Sequence, residues 1–493
     1  MTLDTTQNRL AGYAFLIEQY DLSALPNWHT SSVSPTGTLR STIQDGQVES
    51  VYPQSYWPGD GTGDHLEFAL KYDGVNLGIL SALFDVVPAD EIAAWISSKP
   101  TGKYARRIWF LYEFLTGREL PLPDLIKGNY TPLLEPDRYY TAAPGRRMQR
   151  QRVIDNLLGG KDFCPIIRRT EKLAAMEGID LQKRCEEVVT SYPPELLRRA
   201  LNYLYNKETK SSFEIEHIKP SASRTEKFIG LLEMAEHKDF CEKPLLIDVQ
   251  NRIVDPRFRD ADYRANQNYV GQSISYQKQL VHYVCPKPDD LPELMAGLLA
   301  AHQVMKEGAI SYGFVFMHPF EDGNGRIHRF LIHNILFLRG EIPKGLMFPV
   351  SAAMLKNPAL YDHSLEAFSN PLMRLVEYDL DDLGQMTVPD ETGSLYRYID
   401  MTAQAEALYD FVKLTIEHEL VEELDFLANY DKTKQAIQEI VDMPDRLIDL
   451  FIQLCLQNNG RLSARKKESH FGFLTDDELA DMENAVREGY ARD

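Results

Sequence analysis

The chain has no hydrophobic run approaching the roughly 18 uninterrupted apolar residues of a membrane-spanning helix, although its apolar content of 44% is ordinary for a folded protein. A membrane partner is therefore not expected. The opening stretch MTLDTTQNRLAGYAF lacks a charged segment followed by an apolar core, so no secretory signal is read there and a cytoplasmic location is expected. Cysteine is scarce. The five present (Cys164, Cys185, Cys241, Cys285 and Cys455) are scattered without metal-ligand spacing and read as reduced, mostly buried thiols rather than a disulfide framework. Basic residues are also few: 53 Lys and Arg stand against 73 Asp and Glu, a net charge of −20. Such a chain is soluble and repelled by nucleic acid and anionic membranes. Two compact basic patches, GRRMQRQR (145–152) and RLSARKK (461–467), read as solvated faces or internal partners for the acidic excess, so nucleic acid is not an expected partner. There is no internal repeat.

A chain of 493 residues has room for several cores, and three domains are expected. The first 60 residues are rich in Ser, Thr, Gly, Pro and aromatics and predict irregular structure with short strands. From about His65 to Gly117 the apolar spacing turns helical, and the run around Trp109, Phe110, Leu111 and Phe114 predicts a packed core helix. Residues 120–200 look helical with a proline-rich interruption. Near residues 376–400 an acidic, turn-rich segment reads as a linker or edge. Helical stretches follow around Ala403–Leu427, Lys432–Gln457 and Asp476–Tyr490.

Against that background residues 318–329, HPFEDGNGRIHR, concentrate chemistry. Gly323, Asn324 and Gly325 predict a tight turn, since two of the three lack a Cβ, and the turn opens the apolar run Ile327, Phe330, Leu331, Ile335 and Leu338. The loop therefore sits at a helix N-terminus, where unpaired N–H groups and the positive dipole end form an anion cradle. Arg326 and Arg329, spaced i and i+3, lie on one face of the first turn with forks suited to phosphate oxygens. Histidine titrates near neutrality, which suits His318 to general-base work. Asp322 offers a hard oxygen beside the phosphates, where Mg²⁺ would screen charge.

The stretch resembles the signature HxFx(D/E)GNGRxxR of the Fic family and fits it at every defined position. The resemblance implies transfer of AMP from ATP to a Ser, Thr or Tyr hydroxyl of a target protein, or of the chain itself, with ATP as substrate and Mg²⁺ as cofactor. It implies that His318 deprotonates the hydroxyl and Asp322 holds Mg²⁺. Gly323, Asn324 and Gly325 would form the anion hole, with Arg326 on the phosphates and Arg329 on the γ-phosphate. Phe320 becomes an apolar anchor. Upstream, ADYRANQNYVGQSISYQKQLVHYV is similar to the family's lead-in and flap. Alternation from about Ser273 to Tyr283 predicts a short hairpin, with Gly271 before it. The resemblance assigns target docking to Ser273, Ile274, Ser275 and Tyr276, by strand addition.

Earlier still, KSSFEIEH (210–217) is similar to the inhibitory pattern (S/T)xxxE(G/N), with Ser212 and Glu216 in register and His217 where the pattern has Gly or Asn. The resemblance implies that Glu216 pairs with Arg329 and blocks the productive γ-phosphate pose. The expected fold is mainly α, a Fic-type helical core with a β-hairpin flap. A mixed or helical N-terminal domain precedes it and a helical C-terminal domain follows. The expected limits are 1–200, an inhibitory-helix region 201–225, a core 226–375 and a C-terminal part 376–493. That last part suits a winged-helix domain or a helical bundle for partner or homodimer contacts. Alternatives open at this point are a nucleotide-sensing regulator docking a partner or DNA, removal of AMP, and another nucleotide donor. Phosphate transfer is disfavoured by Gly323 and Gly325.

Overall fold

The computed structural model describes residues 8–44, 46–275, 278–305, 310–343 and 345–491. The protein is mainly α. It divides into two compact units, each assembled from separate stretches of chain: residues 1–179, 237–339 and 357–410, and residues 180–236, 340–356 and 411–493.

In the first unit, strands Arg9–Ala11, His29–Ser34, Gln47–Pro53 and Arg40–Gln44 form one sheet in that spatial order. His29–Ser34 runs parallel to Gln47–Pro53. The opening 60 residues are thus a true sheet, more regular than their composition predicts. Helices Leu77–Val86, Ala89–Ser98 and Lys103–Thr116 follow. As expected, Trp109, Phe110 and Leu111 are buried with Leu80, Leu83 and Phe84, and the Trp109 indole N–H donates to Glu113 Oε1 at 2.7 Å. Between Gly117 and Thr170 the expected helices are replaced by extended chain and three short strands, Thr131–Pro132, Arg146–Met148 and Val153–Asp155. The first basic patch explains much of this. Arg150 reaches Glu113 and Asp124, and Arg152 donates to the Leu125 and Ile126 carbonyls, so these two tie loops together while Arg146 and Arg147 are exposed.

The site's scaffold lies in the rest of this unit: helices Lys243–Ile253, Leu291–Val304, Ile310–Met317, Asn324–Leu338 and Pro358–Leu372, with the antiparallel hairpin Tyr269–Ser275/Lys278–Val284. The hairpin starts four residues before the predicted Ser273. Gly271 is inside the strand, where a Cβ would meet the Leu280 carbonyl oxygen at 2.5 Å; it marks a close backbone approach, not the boundary its residue type suggested.

The second unit contains helices Leu181–Thr190, Pro194–Glu214, Ala222–Met234, Val350–Lys356, Leu420–Ile440, Asp445–Leu456, Ala464–His470 and Asp476–Gly489. Phe451, Ile452, Phe471, Met482 and Val486 make its C-terminal core. Thr475 and Glu478 form a reciprocal capping box at the last helix. Buried Glu208 accepts from Ser351 N at 2.8 Å and from its hydroxyl, tying Val350–Lys356 to Pro194–Glu214. Among the described residues no helix is long and apolar enough to cross a membrane. All five cysteines are buried and free.

Candidate active site

The Ile310–Met317 helix ends at His318, whose φ of 48° turns the chain sharply into the loop. The ring's Nδ1 lies 3.1 Å from the Val315 carbonyl oxygen. A carbonyl only accepts, so Nδ1 carries a hydrogen, and in the neutral ring Nε2 is then the basic nitrogen. This tautomer is the one a general base needs. Phe320 is fully buried, ringed by Phe314 and Tyr263 at 6.3 and 5.9 Å between centroids.

Asn324 closes the loop on itself. Its Oδ1 accepts from Phe320 N at 3.0 Å and its Nδ2 donates to Phe320 O at 2.7 Å. Gly323, at φ 92°, is the N-cap of the Asn324–Leu338 helix. A Cβ there would adopt a left-handed backbone and meet Val254 at 2.9 Å. Arg326 is completely buried, and its Nη2 pairs with Asp322 Oδ1 at 2.7 Å while 44% of the Asp322 side chain stays exposed. One carboxylate oxygen thus holds the guanidinium, and the exposed side is where Asp322 could hold a divalent cation. Arg329 is 2% exposed, one turn along the same helix. Six of the expected residues, His318, Asp322, Gly323, Asn324, Gly325 and Arg326, are brought together here with Arg329.

Residues outside the loop hold it in place, and the sequence did not reveal them. Arg264, 4% exposed, donates through its backbone N to Pro319 O at 2.8 Å. Its side chain reaches His318 O at 2.9 Å, Asn266 O at 2.7 Å and the Pro286 carbonyl. One guanidinium therefore fastens the base, its loop and the foot of the hairpin. Gln250 donates to Phe258 O, Asp260 Oδ2 and, at 3.4 Å, Asp322 O. Asp260 Oδ2 also accepts from Glu321 N at 3.2 Å. Burial pushes the Asp260 carboxyl up, with Glu321 and Asp322 adding to the shift. The Tyr-Arg pair in ADYR was visible as part of a lead-in, but its role depends on contacts with residues more than 50 positions away.

On the helix behind the loop, burial pulls the His328 imidazole down to about 3, and its Nδ1 donates to Ser311 O at 2.8 Å. An unfolded histidine binds a proton below roughly pH 6.5 that the folded one refuses, so this stability is present above about 6.5 and lost as pH falls toward 3. At about pH 5.5 the loss is on the order of 1.4 kcal/mol. His328→Asn, whose amide can replace the donor, should lose less Tm than the wild type between about pH 7.5 and 5.5. Equal losses in differential scanning would place the acid sensitivity elsewhere.

The hairpin carries the expected flap residues. Ser273 and Ile274 lie on its first strand, Ile274 at 56% exposure. Ser275 ends the strand opposite Lys278. Tyr276 lies outside the described residues. Tyr283 on the second strand donates to Phe316 O, joining the hairpin to the helix that ends at the base.

A family profile described as Fic/DOC family matches residues 241–336. Residues 241–336 thus resemble a Fic domain. The Fic domain so matched holds Arg264, the hairpin and the whole phosphate loop. A curated relative, Protein adenylyltransferase Fic of Culex quinquefasciatus, is 32% identical over 122 residues, covering 22% of this chain and 22% of the relative. The chain thus spans about a fifth of that relative's length. Among solved structures it is similar to a Fic family protein from Desulfovibrio desulfuricans G20, with 18% identity, 65% of this chain and 90% of that one covered, and a TM-score of 0.34. It is also similar to a Fic domain containing signaling protein from Bacteroides thetaiotaomicron VPI-5482, with 15% identity, 51% and 97% coverage, and a TM-score of 0.33.

Ser212 and Glu216 belong to the second unit. Ser212 is buried near the end of the Pro194–Glu214 helix, and Glu216 lies just past that end. His217 N donates to Glu214 O at 2.8 Å and Ile218 N to Phe213 O at 3.0 Å. With His217 at φ 55°, this is a Schellman closure. The position after the glutamate is therefore a left-handed one, which accounts for Gly or Asn in the family pattern. Histidine tolerates that backbone better than most side chains, and the departure is absorbed without loss of the turn.

Proposed function

We propose that this Fic domain transfers AMP from ATP to a Ser, Thr or Tyr hydroxyl of a target protein. The observation that carries the reading is the gathering of His318, Asp322 and the buried Arg326 at the helix start Gly323; with His318 Nδ1 against Val315 O, Nε2 is the ring atom to which the hydroxyl proton is assigned. The hydroxyl oxygen then attacks the α-phosphorus, the bond to the β-phosphate oxygen breaks, and pyrophosphate leaves. Arg326, buried and aimed by Asp322, offers a fixed cation to the phosphates as charge moves onto the leaving group. The helix N-terminus at Gly323 adds backbone N–H groups. Mg²⁺, held by the open side of Asp322, would supply charge neutralisation for the triphosphate. The adenylyltransferase name of the Culex relative supports AMP as the transferred group. The test is incubation of the full chain with labelled ATP, Mg²⁺ and a lysate, followed by mass analysis of modified proteins. An AMP adduct on a hydroxyl residue is expected; label in phosphate alone would overturn the reading.

Control by Glu216 belongs to the same proposal. Its carboxylate is to occupy the Arg329 fork, so that ATP binds with its γ-phosphate misplaced and its α-phosphate out of line. The Schellman turn supports this, because it fixes Glu216 at a stiff helix end instead of on a mobile loop. Glu216→Gly should raise automodification or target labelling severalfold, with little change in folding. Equal labelling rates for wild type and variant would show that the brake lies elsewhere.

A further inference from the structure

Away from the loop, three side chains of metal-ligating type converge in the first unit. Asp239, Cys241 and His302 each bring one ligand atom, all within 4.8 Å of one another. Cys241 and His302 are 6% and 4% exposed, while 35% of the Asp239 side chain faces solvent. His302 Nε2 lies 3.0 Å from Asp239 Oδ2, and Cys241 N donates to Asp239 Oδ1 at 2.9 Å. The frame is stiff. Asn334, on the helix that begins at the phosphate loop, accepts from Phe240 N at 3.0 Å and donates to Lys238 O at 2.6 Å. Arg339, at the end of that helix, fastens the carbonyls of His302 and Met305. Among the described residues the buried His302 Nδ1 has no hydrogen-bond partner. A cavity of about 10 Å³, room for one water-sized guest, is bounded by Cys241 and His302 and, apart from Ser311, by apolar side chains such as Leu246, Leu298 and Leu331.

We propose that Asp239, Cys241 and His302 bind one divalent cation of the zinc type. A thiolate, an imidazole and a carboxylate are the donors such a borderline ion takes, and three protein ligands leave a fourth position for water on the exposed side of Asp239. Ligand atoms around a tetrahedral zinc stand roughly 3.3–3.8 Å apart for bonds of about 2.0–2.3 Å. The Asp239–His302 pair is already at 3.0 Å, so the trio needs side-chain adjustments of about 1 Å, within rotamer freedom. One thiolate and one carboxylate balance the 2+ charge. The step is Cys241–SH plus M²⁺ giving Cys241–S–M⁺ plus a proton released to solvent. The third ligand comes from the Leu291–Val304 helix, far along the chain from the loop that carries Asp239 and Cys241, which is why cysteine spacing gave no sign of a site.

The full chain, expressed without a metal-affinity tag in zinc-supplemented medium, should carry one equivalent of zinc by elemental analysis. After metal removal, Co²⁺ should give tetrahedral visible bands and a thiolate-to-cobalt charge-transfer band. Both signals should vanish in Cys241→Ser, and Co²⁺ affinity should weaken at least roughly tenfold in Asp239→Asn. The half-exposed Asp239 variant serves if Cys241→Ser folds poorly by circular dichroism. A wild type with no bound zinc and no charge-transfer band, or bands unchanged in a folded variant, overturns the assignment and leaves the trio a hydrogen-bonded core cluster.

Discussion

His318→Ala is expected to reduce AMP transfer by about 10²–10⁴ while leaving ATP affinity within a few fold, because removing a general base costs rate without disturbing the phosphate cradle. The independence of the two effects follows from how the loop is held. Arg264 grips the backbone carbonyl of residue 318, not its imidazole. Asn324 closes the loop through Phe320, and Arg326 is aimed by Asp322. None of these contacts passes through the ring, so they remain to hold the loop around an alanine at 318. Initial rates with labelled ATP, beside an ATP titration by calorimetry, separate the two quantities. Transfer at the wild-type rate would sink the base assignment. A large loss of ATP affinity would instead mean that the imidazole helps build the cradle.

What the sequence disclosed and what it withheld divide along a physical line. The loop was legible because its parts are contiguous: glycines, arginines, base and carboxylate follow one another within three helical turns, and local backbone physics arranges them. Phe320 was marked as an anchor by the family resemblance alone, and it is buried. The residues that clamp the loop were not, since Arg264, Gln250 and Asp260 act across gaps of more than 50 positions and their residue types are common in any chain. The helix end at Glu216 was hidden by a residue type: a Schellman closure is usually announced by Gly or Asn, and His217 does the work without the signal. Gly271 misled in the opposite sense, since a glycine inside a strand looks like a boundary until the neighbouring carbonyl is seen. The extended chain between Gly117 and Thr170 was misjudged because its order comes from arginine side chains bonding distant carbonyls, which leaves no periodicity to detect.

Asp322→Ala should nearly stop turnover and remove the Mg²⁺ dependence of nucleotide binding, and the size of that effect can be weighed against stability. The carboxylate of the Asp322–Arg326 pair is half exposed but its guanidinium is buried, so losing the partner costs the fold on the order of 1–3 kcal/mol. The chemical cost falls on the rate, by orders of magnitude, since a metal there would offset charge on the α- and β-phosphates and the carboxylate would also aim the buried Arg326 at them. Asp322→Asn separates the two roles. An amide oxygen can still accept from Arg326 Nη2, but it lacks the charge that holds a divalent cation. If the metal dominates, the asparagine variant fails nearly as badly as alanine and neither responds to added Mg²⁺. If aiming Arg326 dominates, asparagine recovers most of the rate. Nucleotide binding measured with Mg²⁺ and with chelator, for wild type and both variants, decides between them, and a wild-type rate indifferent to chelator would remove the metal from the site altogether.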